Sequence, residues 1–283
     1  MVTLGQAWRA GKEFLAKAGI EDAAFDAREL CRACCKADPL SVPQRTLTEC
    51  EQLRLQQLYT RRAQHEPLQY LLGEWDFLDF TVAVGPGVLI PRADTECVAQ
   101  ASMDALRCAA AQNSHVAAMD LCAGTGILAI AMARCVPAAR VTAIEKNDAA
   151  FEYLKRNCAQ LAPEVSAVQA DVFGYEHKLD EESLDVIVSN PPYVTCDEYK
   201  TLAPELHFEP REALCAEQQG LAFYRHIAPA YFSKLRAGGM LVFEIGAAQS
   251  KDVCELCRLA GYVQVSVQCD AAGLPRCVCA HRP

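Results

Sequence analysis

The 283-residue sequence predicts an α/β protein, a doubly wound and largely parallel sheet preceded by a small all-α bundle. Three observations carry that reading. From His115 onward short apolar runs alternate with helical stretches, the pattern of a parallel sheet with helices on both faces. The last two runs, Tyr262 to Val267 and Pro275 to Ala280, have no helix between them and so form an antiparallel hairpin at one edge. The amino-terminal quarter, by contrast, carries helical periodicity alone.

In that quarter Thr3 is a candidate cap, and Leu4, Ala7, Trp8, Gly11, Leu15 and Ala18 fall on one stripe behind it. A second helix is expected from Asp22 to Lys36, with Phe25, Leu30, Cys31, Cys34 and Cys35 inward and Asp38-Pro39 as its break. A third begins near Thr48 and runs toward His65. Such stripes are what a plain helical bundle needs for its core. Phe77, Phe80, Val82 and Val84, with turn residues between, then suggest short strands. The expected division is therefore a helical domain over residues 1–73, a β-linker over 74–95 and a catalytic domain over 96–283. Asp94 or Thr95 is placed to cap a helix from Glu96 through Ala110. On a purely structural reading Arg92, just before it, pairs with a carboxylate.

The sheet's strands are expected at His115 to Leu121, Arg140 to Glu145, Val165 to Ala170, Leu184 to Ser189 and Met240 to Glu244, followed by the hairpin pair. Ligands of open α/β sheets gather outside the carboxyl ends of such strands. Asp120-Leu121-Cys122-Ala123-Gly124-Thr125-Gly126 leaves the first strand for a helix, and its glycines permit a tight turn with close approach of a ligand. Glu145 ends the second strand, where a carboxylate can accept hydrogen bonds from both ribose hydroxyls of a nucleoside. Asp171, with Val172 after it, follows the third strand and suits an adenine amine. Singly, either carboxylate is also explained as a helix cap. A nicotinamide-dependent oxidoreductase shares such a loop but leaves the next stretch unexplained.

That stretch is Ser189-Asn190-Pro191-Pro192-Tyr193-Val194, at the end of the apolar run Leu184-Asp185-Val186-Ile187-Val188. Two successive prolines fix two φ angles and remove two N–H donors, so the loop stiffens while its carbonyls remain acceptors. Asn190 adds a side-chain carbonyl and Tyr193 an aromatic face, a receptacle for a planar group bearing NH2.

Composition narrows the setting. A 52% hydrophobic chain of this length can bury a large core, and its net charge of −9 disfavours a broad phosphate-binding face. The first ten residues lack the layout of a signal peptide, and no apolar run reaches membrane-span length, so a cytoplasmic protein is expected. The sixteen cysteines are then expected to be reduced and to serve as small apolar residues. Cys31-x-x-Cys34-Cys35, Cys254-x-x-Cys257 and Cys277-x-Cys279 invite a zinc reading, but the first three occupy a helical stripe rather than a knuckle, and no metal is expected.

Asn190-Pro191-Pro192-Tyr193 after a hydrophobic strand resembles the signature of methyltransferases that use S-adenosylmethionine to methylate amide or amino nitrogens. With Pro67-Leu68-Gln69-Tyr70, Leu89-Ile90-Pro91-Arg92-x-Asp94-Thr95-Glu96, the Asp120 loop, Phe208-Glu209-Pro210-Arg211-x-Ala213-Leu214, Gly220-Leu221-x-x-Tyr224-Arg225 and Gly238-Gly239-x-Leu241-x-x-Glu244-Ile245-Gly246, the chain resembles the release-factor glutamine methyltransferases, the PrmC/HemK family. It departs from them at Cys122, where the family usually has the first loop glycine, and at Ala216-Glu217-Gln218-Gln219, which lacks a glycine-rich approach to Gly220.

The resemblance implies a seven-stranded Rossmann-like class I methyltransferase domain. It implies methylation of the side-chain amide nitrogen of the glutamine in the Gly-Gly-Gln motif of peptide chain release factors, from S-adenosyl-L-methionine to S-adenosyl-L-homocysteine. The helical domain would help hold the release factor. Asn190, Pro191 and Tyr193 would be the catalytic residues: Asn190 Oδ1 and the Pro191 carbonyl would accept the two amide hydrogens, Tyr193 would pack on the amide plane or, alternatively, serve only the loop's packing, and Pro192 would complete the substrate site. Cys122, Ala123, Gly124, Thr125, Gly126, Glu145, Asp171, Val172 and Asn190 would hold the cofactor. No metal, membrane or direct nucleic-acid partner is expected, and a monomer is. The alternative is a DNA adenine-N6 methyltransferase, which grips a flipped base with a similar tetrapeptide but normally carries a basic target-reading region.

Overall fold

The computed structural model describes all 283 residues and divides into two compact units, Met1–Trp75 with Ala203–Phe208, and Asp76–Leu202 with Glu209–Pro283. The first contains α1 (Leu4–Lys17), α2 (Ala23–Cys35), α3 (Glu49–Ala63) and the short α4 (Leu68–Leu72). Thr3 caps α1 and Thr48 caps α3, each in a reciprocal box with Gln6 and Glu51 respectively, so two helix starts rest on residues with that purpose. The core beneath them includes Leu4, Leu15, Leu30, Cys31, Leu55 and Tyr59.

Phe25 departs from the expected stripe, being 50% exposed. The buried face of α2 runs instead through Ala23, Asp26, Ala27, Leu30 and Cys31. Asp26 can be buried because Arg62 Nε donates to it at 2.6 Å. Arg62 also donates to Glu205 at 2.5 Å, which ties Ala203–Phe208 into this unit although it comes from far along the chain. Loss of water around Asp26 outweighs Arg62 and raises its pKa above the usual carboxylate value.

β1 (Glu74–Phe77) and β2 (Phe80–Ala83) make a two-stranded sheet, and α5 (Thr95–Gln112) follows. Neither expected cap acts as one, since α5 begins at Thr95 and Asp94 makes no side-chain capping bond. The Asp94 carboxylate is instead 3.1 Å from Arg276.

The second unit is built on β3 (Ala117–Leu121), β4 (Arg140–Glu145), β5 (Ser166–Gln169), β6 (Leu184–Ser189), β7 (Leu235–Glu244), β8 (Val263–Cys269) and β9 (Pro275–His281). They form one seven-stranded sheet in the order β5-β4-β3-β6-β7-β9-β8. Pairing is parallel from β5 to β7 and antiparallel where β9 meets β7 and β8, as the missing helix between the last two runs predicts. Every residue of β3 and β6 is buried, which is why these strands read as continuous apolar runs. Helices α6 (Ile127–Cys135) and α7 (Asp148–Leu161) carry the chain between strands. Seven of the thiols, among them Cys158, Cys257 and Cys277, are buried as small apolar groups.

No helix is long and apolar enough to cross a membrane.

Candidate active site

The sheet grows outward from β3 in both directions, to β4 on one side and β6 on the other, so the crevice between their carboxyl ends is the topological switch point. Register makes this concrete. Leu121 of β3 lies opposite Ser189 of β6, so Cys122 and Asn190 leave the sheet side by side. The Ser189 hydroxyl donates to the Leu121 carbonyl at 2.7 Å and pins the two strand ends together. A cavity of about 510 Å³ opens here. Its walls include Cys122, Ala123, Gly124, Thr125, Glu145, Asp171, Val172, Asn190 and Pro192. Of the residues singled out from the sequence, Gly126, Pro191 and Tyr193 are not among those that line it.

The loop after β3 is held from below. Ala123 N donates to the Ile144 carbonyl at 2.9 Å, and Gly126 N to the Ala123 carbonyl at 2.8 Å. Gly126 has φ +86°, and a Cβ there would stand 2.6 Å from Leu154 of α7, so glycine serves both the turn and the packing of α6. At Gly124 a Cβ would meet nothing within 4 Å. Cys122 takes φ +62° without being glycine, a left-handed conformation that strains any residue with a Cβ. Burial pushes its thiol pKa up.

Three carboxylates face this loop. Glu145 accepts Gly124 N at 2.9 Å on one oxygen and Asn147 N at 2.7 Å on the other, so it shapes the loop and keeps further lone pairs in the cavity wall. For Asp171 burial works upward, but an ion pair with Lys146 at 2.8 Å and the Phe173 amide at 3.0 Å bring its pKa below the usual value. Asp120 is 1% exposed. One oxygen accepts Ala129 N at 3.0 Å and the other, Oδ1, has no hydrogen-bond partner. Burial first, and the charge of Glu145 second, raise its pKa to about 8 against the one bond that lowers it.

The Asn190 loop is braced on its far side. Tyr193 N and Val194 N both donate to the Leu214 carbonyl, at 3.1 and 2.9 Å, and Ala216 N donates to the Val194 carbonyl at 2.9 Å. The Gln249 side chain donates to the Tyr193 carbonyl at 3.1 Å. The Tyr193 hydroxyl points toward Glu244, 3.5 Å away, and its ring packs beside Gly246. Asn190 Nδ2 lies 3.5 Å from the hydroxyl of Thr95.

Several site features escaped the sequence reading. Lys146 is one. Another is Glu209, 4% exposed, which accepts Ile90 N at 2.9 Å and pairs with Arg92, joining two motifs more than a hundred residues apart in the chain. Arg92 thus has the carboxylate partner that a structural reading expects. Asn157 of α7 is a third, bonding both the amide and carbonyl of Ala83 and the carbonyl of Thr125. Only the recurrence of Leu89 to Arg92 and Phe208 to Arg211 in one ordered motif set hinted at a shared task.

Among solved structures the chain resembles the hMettl16 catalytic domain, crystallised with the MAT2A 3'UTR hairpin 6, at TM-score 0.58 and 16% identity over 80% of this chain and 82% of that one. A methyltransferase from Pyrococcus furiosus superposes at TM-score 0.50 and 18% identity over 71% of this chain and 88% of that one. These likenesses establish the class I methyltransferase fold. The family described as PrmC N-terminal domain matches residues 6–73, and the methyltransferase small domain matches residues 100–216. The release factor glutamine methyltransferase of Geobacter sulfurreducens is 34% identical over 96% of this chain and 93% of its own length. That of Moorella thermoacetica is 35% identical over 99% of each chain. With such identity sustained from end to end, the chain belongs to the family of release factor glutamine methyltransferases.

Proposed function

We propose that this protein transfers a methyl group from S-adenosylmethionine to the side-chain amide nitrogen of the glutamine in the Gly-Gly-Gln motif of peptide chain release factors. The observation that carries this reading is the Asn190-Pro191-Pro192-Tyr193 loop at the switch point, with Asn190 in the wall of a cavity of about 510 Å³.

The cavity's residues fit such a cofactor. Its volume of about 510 Å³ lies in the usual range for small-molecule sites. Glu145 keeps acceptor capacity for ribose hydroxyls, and Asp171 with Val172, Phe173 and Phe223 suits an adenine. Gly124 leaves room for close approach. When bound, the cofactor supplies a methyl group made electrophilic by a sulfonium.

The chain's own part is orientation. An amide nitrogen is a poor nucleophile because its lone pair is delocalised into the carbonyl. Asn190 Oδ1 and the Pro191 carbonyl accept its two hydrogens and aim the nitrogen at the cofactor side of the cavity. Holding reacting groups in place can contribute on the order of 7–11 kcal/mol. Tyr193 serves the loop from behind, through Glu244 and Gly246, so its effect on the amide is exerted through the backbone. The helical unit, residues 1–73 in the sequence division, is the natural candidate for gripping the release factor, since every residue assigned to the cofactor lies outside it.

The test is a competition in which purified protein receives labelled S-adenosylmethionine, release factor and duplex DNA together. Label is expected in the release factor. Label in DNA alone would replace this reading with adenine methylation.

A further inference from the structure

Asn190 has to present its carbonyl oxygen to the substrate amide, yet the two ends of its own amide are almost identical in shape. Some neighbour must choose between them. We propose that Thr95 is that positioning residue: its hydroxyl donates its single proton to the buried Glu244 carboxylate and so offers Asn190 only lone pairs. The Asn190 NH2 then turns toward α5, and Oδ1 is left for the substrate. This rests on the acceptor role given to Asn190 above.

The sheet brings the three residues together. Ser189 of β6 lies opposite Phe243 of β7, so Asn190 and Glu244 emerge at neighbouring strand ends, and α5 packs on both strands with Thr95 as its first residue. Thr95 is 1% and Glu244 2% exposed, so bulk water does not compete for their hydrogen bonds. Asn190 Nδ2 is 3.5 Å from Thr95 Oγ1. That is long, but catalytic hydrogen bonds of such length commonly tighten in the Michaelis complex.

The proton inventory decides the direction. A threonine hydroxyl has one hydrogen to give and two lone pairs to offer. Glu244 Oε1 faces the Tyr193 hydroxyl at 3.5 Å, while Oε2 is buried without a partner, a costly state unless a donor reaches it. Burial raises the Glu244 pKa to about 7, and Thr95 is the foremost of the groups that work against that rise, the effect expected of a hydrogen bond donated to the carboxylate. The nearby guanidinium of Arg276 is held by Asp94 at 3.1 Å and Asp270 at 3.2 Å, so it supports the charge of Glu244 without taking over the bond. If Thr95 gave its proton to Asn190 instead, Glu244 would remain unsatisfied and Asn190 would offer the substrate donors that an amide NH2 cannot accept.

A double-mutant cycle tests this on the full-length protein. Single-turnover methylation of release factor is measured, with both substrates saturating, for the parent, Thr95→Val, Thr95→Ser, Asn190→Ala and the Val/Ala double variant. Melting temperature and cofactor affinity are recorded alongside. Thr95→Val is expected to slow transfer about tenfold, the worth of one hydrogen bond, with the release-factor KM little changed. Thr95→Ser should recover most of the rate. In the Asn190→Ala background the valine change should cost little more, because the group it positions is gone. Equal losses in both backgrounds, or a valine variant as fast as the parent, would overturn the role of Thr95 while leaving that of Asn190 intact. A fully active Asn190→Ala would overturn the acceptor reading and this proposal with it. Should the valine variant fail to fold, Thr95→Ala takes its place in the same cycle.

Discussion

Cys122 occupies a left-handed position, φ +62°, in the wall of the cofactor cavity. A residue with a Cβ costs roughly 1–2 kcal/mol there relative to glycine. Cys122→Gly is therefore expected to keep cofactor affinity and to raise stability by about 1 kcal/mol. Calorimetric titration and thermal melting check both, and a large loss of affinity would mean that the thiol makes a contact of its own. Asp120 carries the opposite kind of strain, a buried carboxyl with one unpartnered oxygen. Its pKa is raised from 3.8 to about 8, so the unfolded chain ionises it more readily than the folded one. The stability this group contributes is fully present below about pH 4 and is lost as pH rises to about 8, a difference of a few kcal/mol. Asp120→Asn should flatten that slope in urea melts at pH 5 and pH 8 measured without cofactor. An unchanged slope would show that Asp120 ionises as easily folded as unfolded.

At the scale of elements, the Asn190 loop depends on the turn that braces it. Gln218 and Gln219 have φ +54° and +62° ahead of Gly220 at +78°, three left-handed residues in a row. A Cβ on Gly220 would stand 2.1 Å from the Tyr193 carbonyl oxygen. Gly220→Ala is thus expected to push the Asn190 loop out of position and to reduce turnover at least tenfold, with a melting temperature that falls by only a few degrees. Comparable turnover in the two proteins would separate the turn from the site. The sequence marks this segment as unusual by its lack of glycine, but not that it carries the active loop, because two glutamines at positive φ go against their own preference. Other elements were legible for physical reasons. β3 and β6 are buried on both faces and read as apolar runs, and Thr3 starts α1 where a cap was expected. The face of α2 was misread at Phe25 because its true core face includes Asp26, whose burial depends on Arg62 in another helix. Likewise the pairing of Glu209 with Arg92 and Ile90 joins distant segments, and no local pattern announces such a bond.

For the whole molecule, the residues assigned to cofactor all lie in the unit built on the seven-stranded sheet. Removing residues 1 to 70 should therefore spare cofactor binding and reduce methylation of intact release factor more than that of a short glutamine peptide. Ala203–Phe208 would lose Arg62, the partner of Glu205, so some loss on both substrates is expected. Equal losses would mean that the helical unit only stabilises the fold. The central claim, transfer to a glutamine amide nitrogen, is tested most directly by fragment mass spectrometry of release factor after incubation with this protein and S-adenosylmethionine. The account predicts a single methyl on the side-chain nitrogen of the glutamine in Gly-Gly-Gln, and none on a factor in which that glutamine is replaced by glutamate. A methyl on any other residue, or undiminished transfer to the glutamate variant, would contradict it.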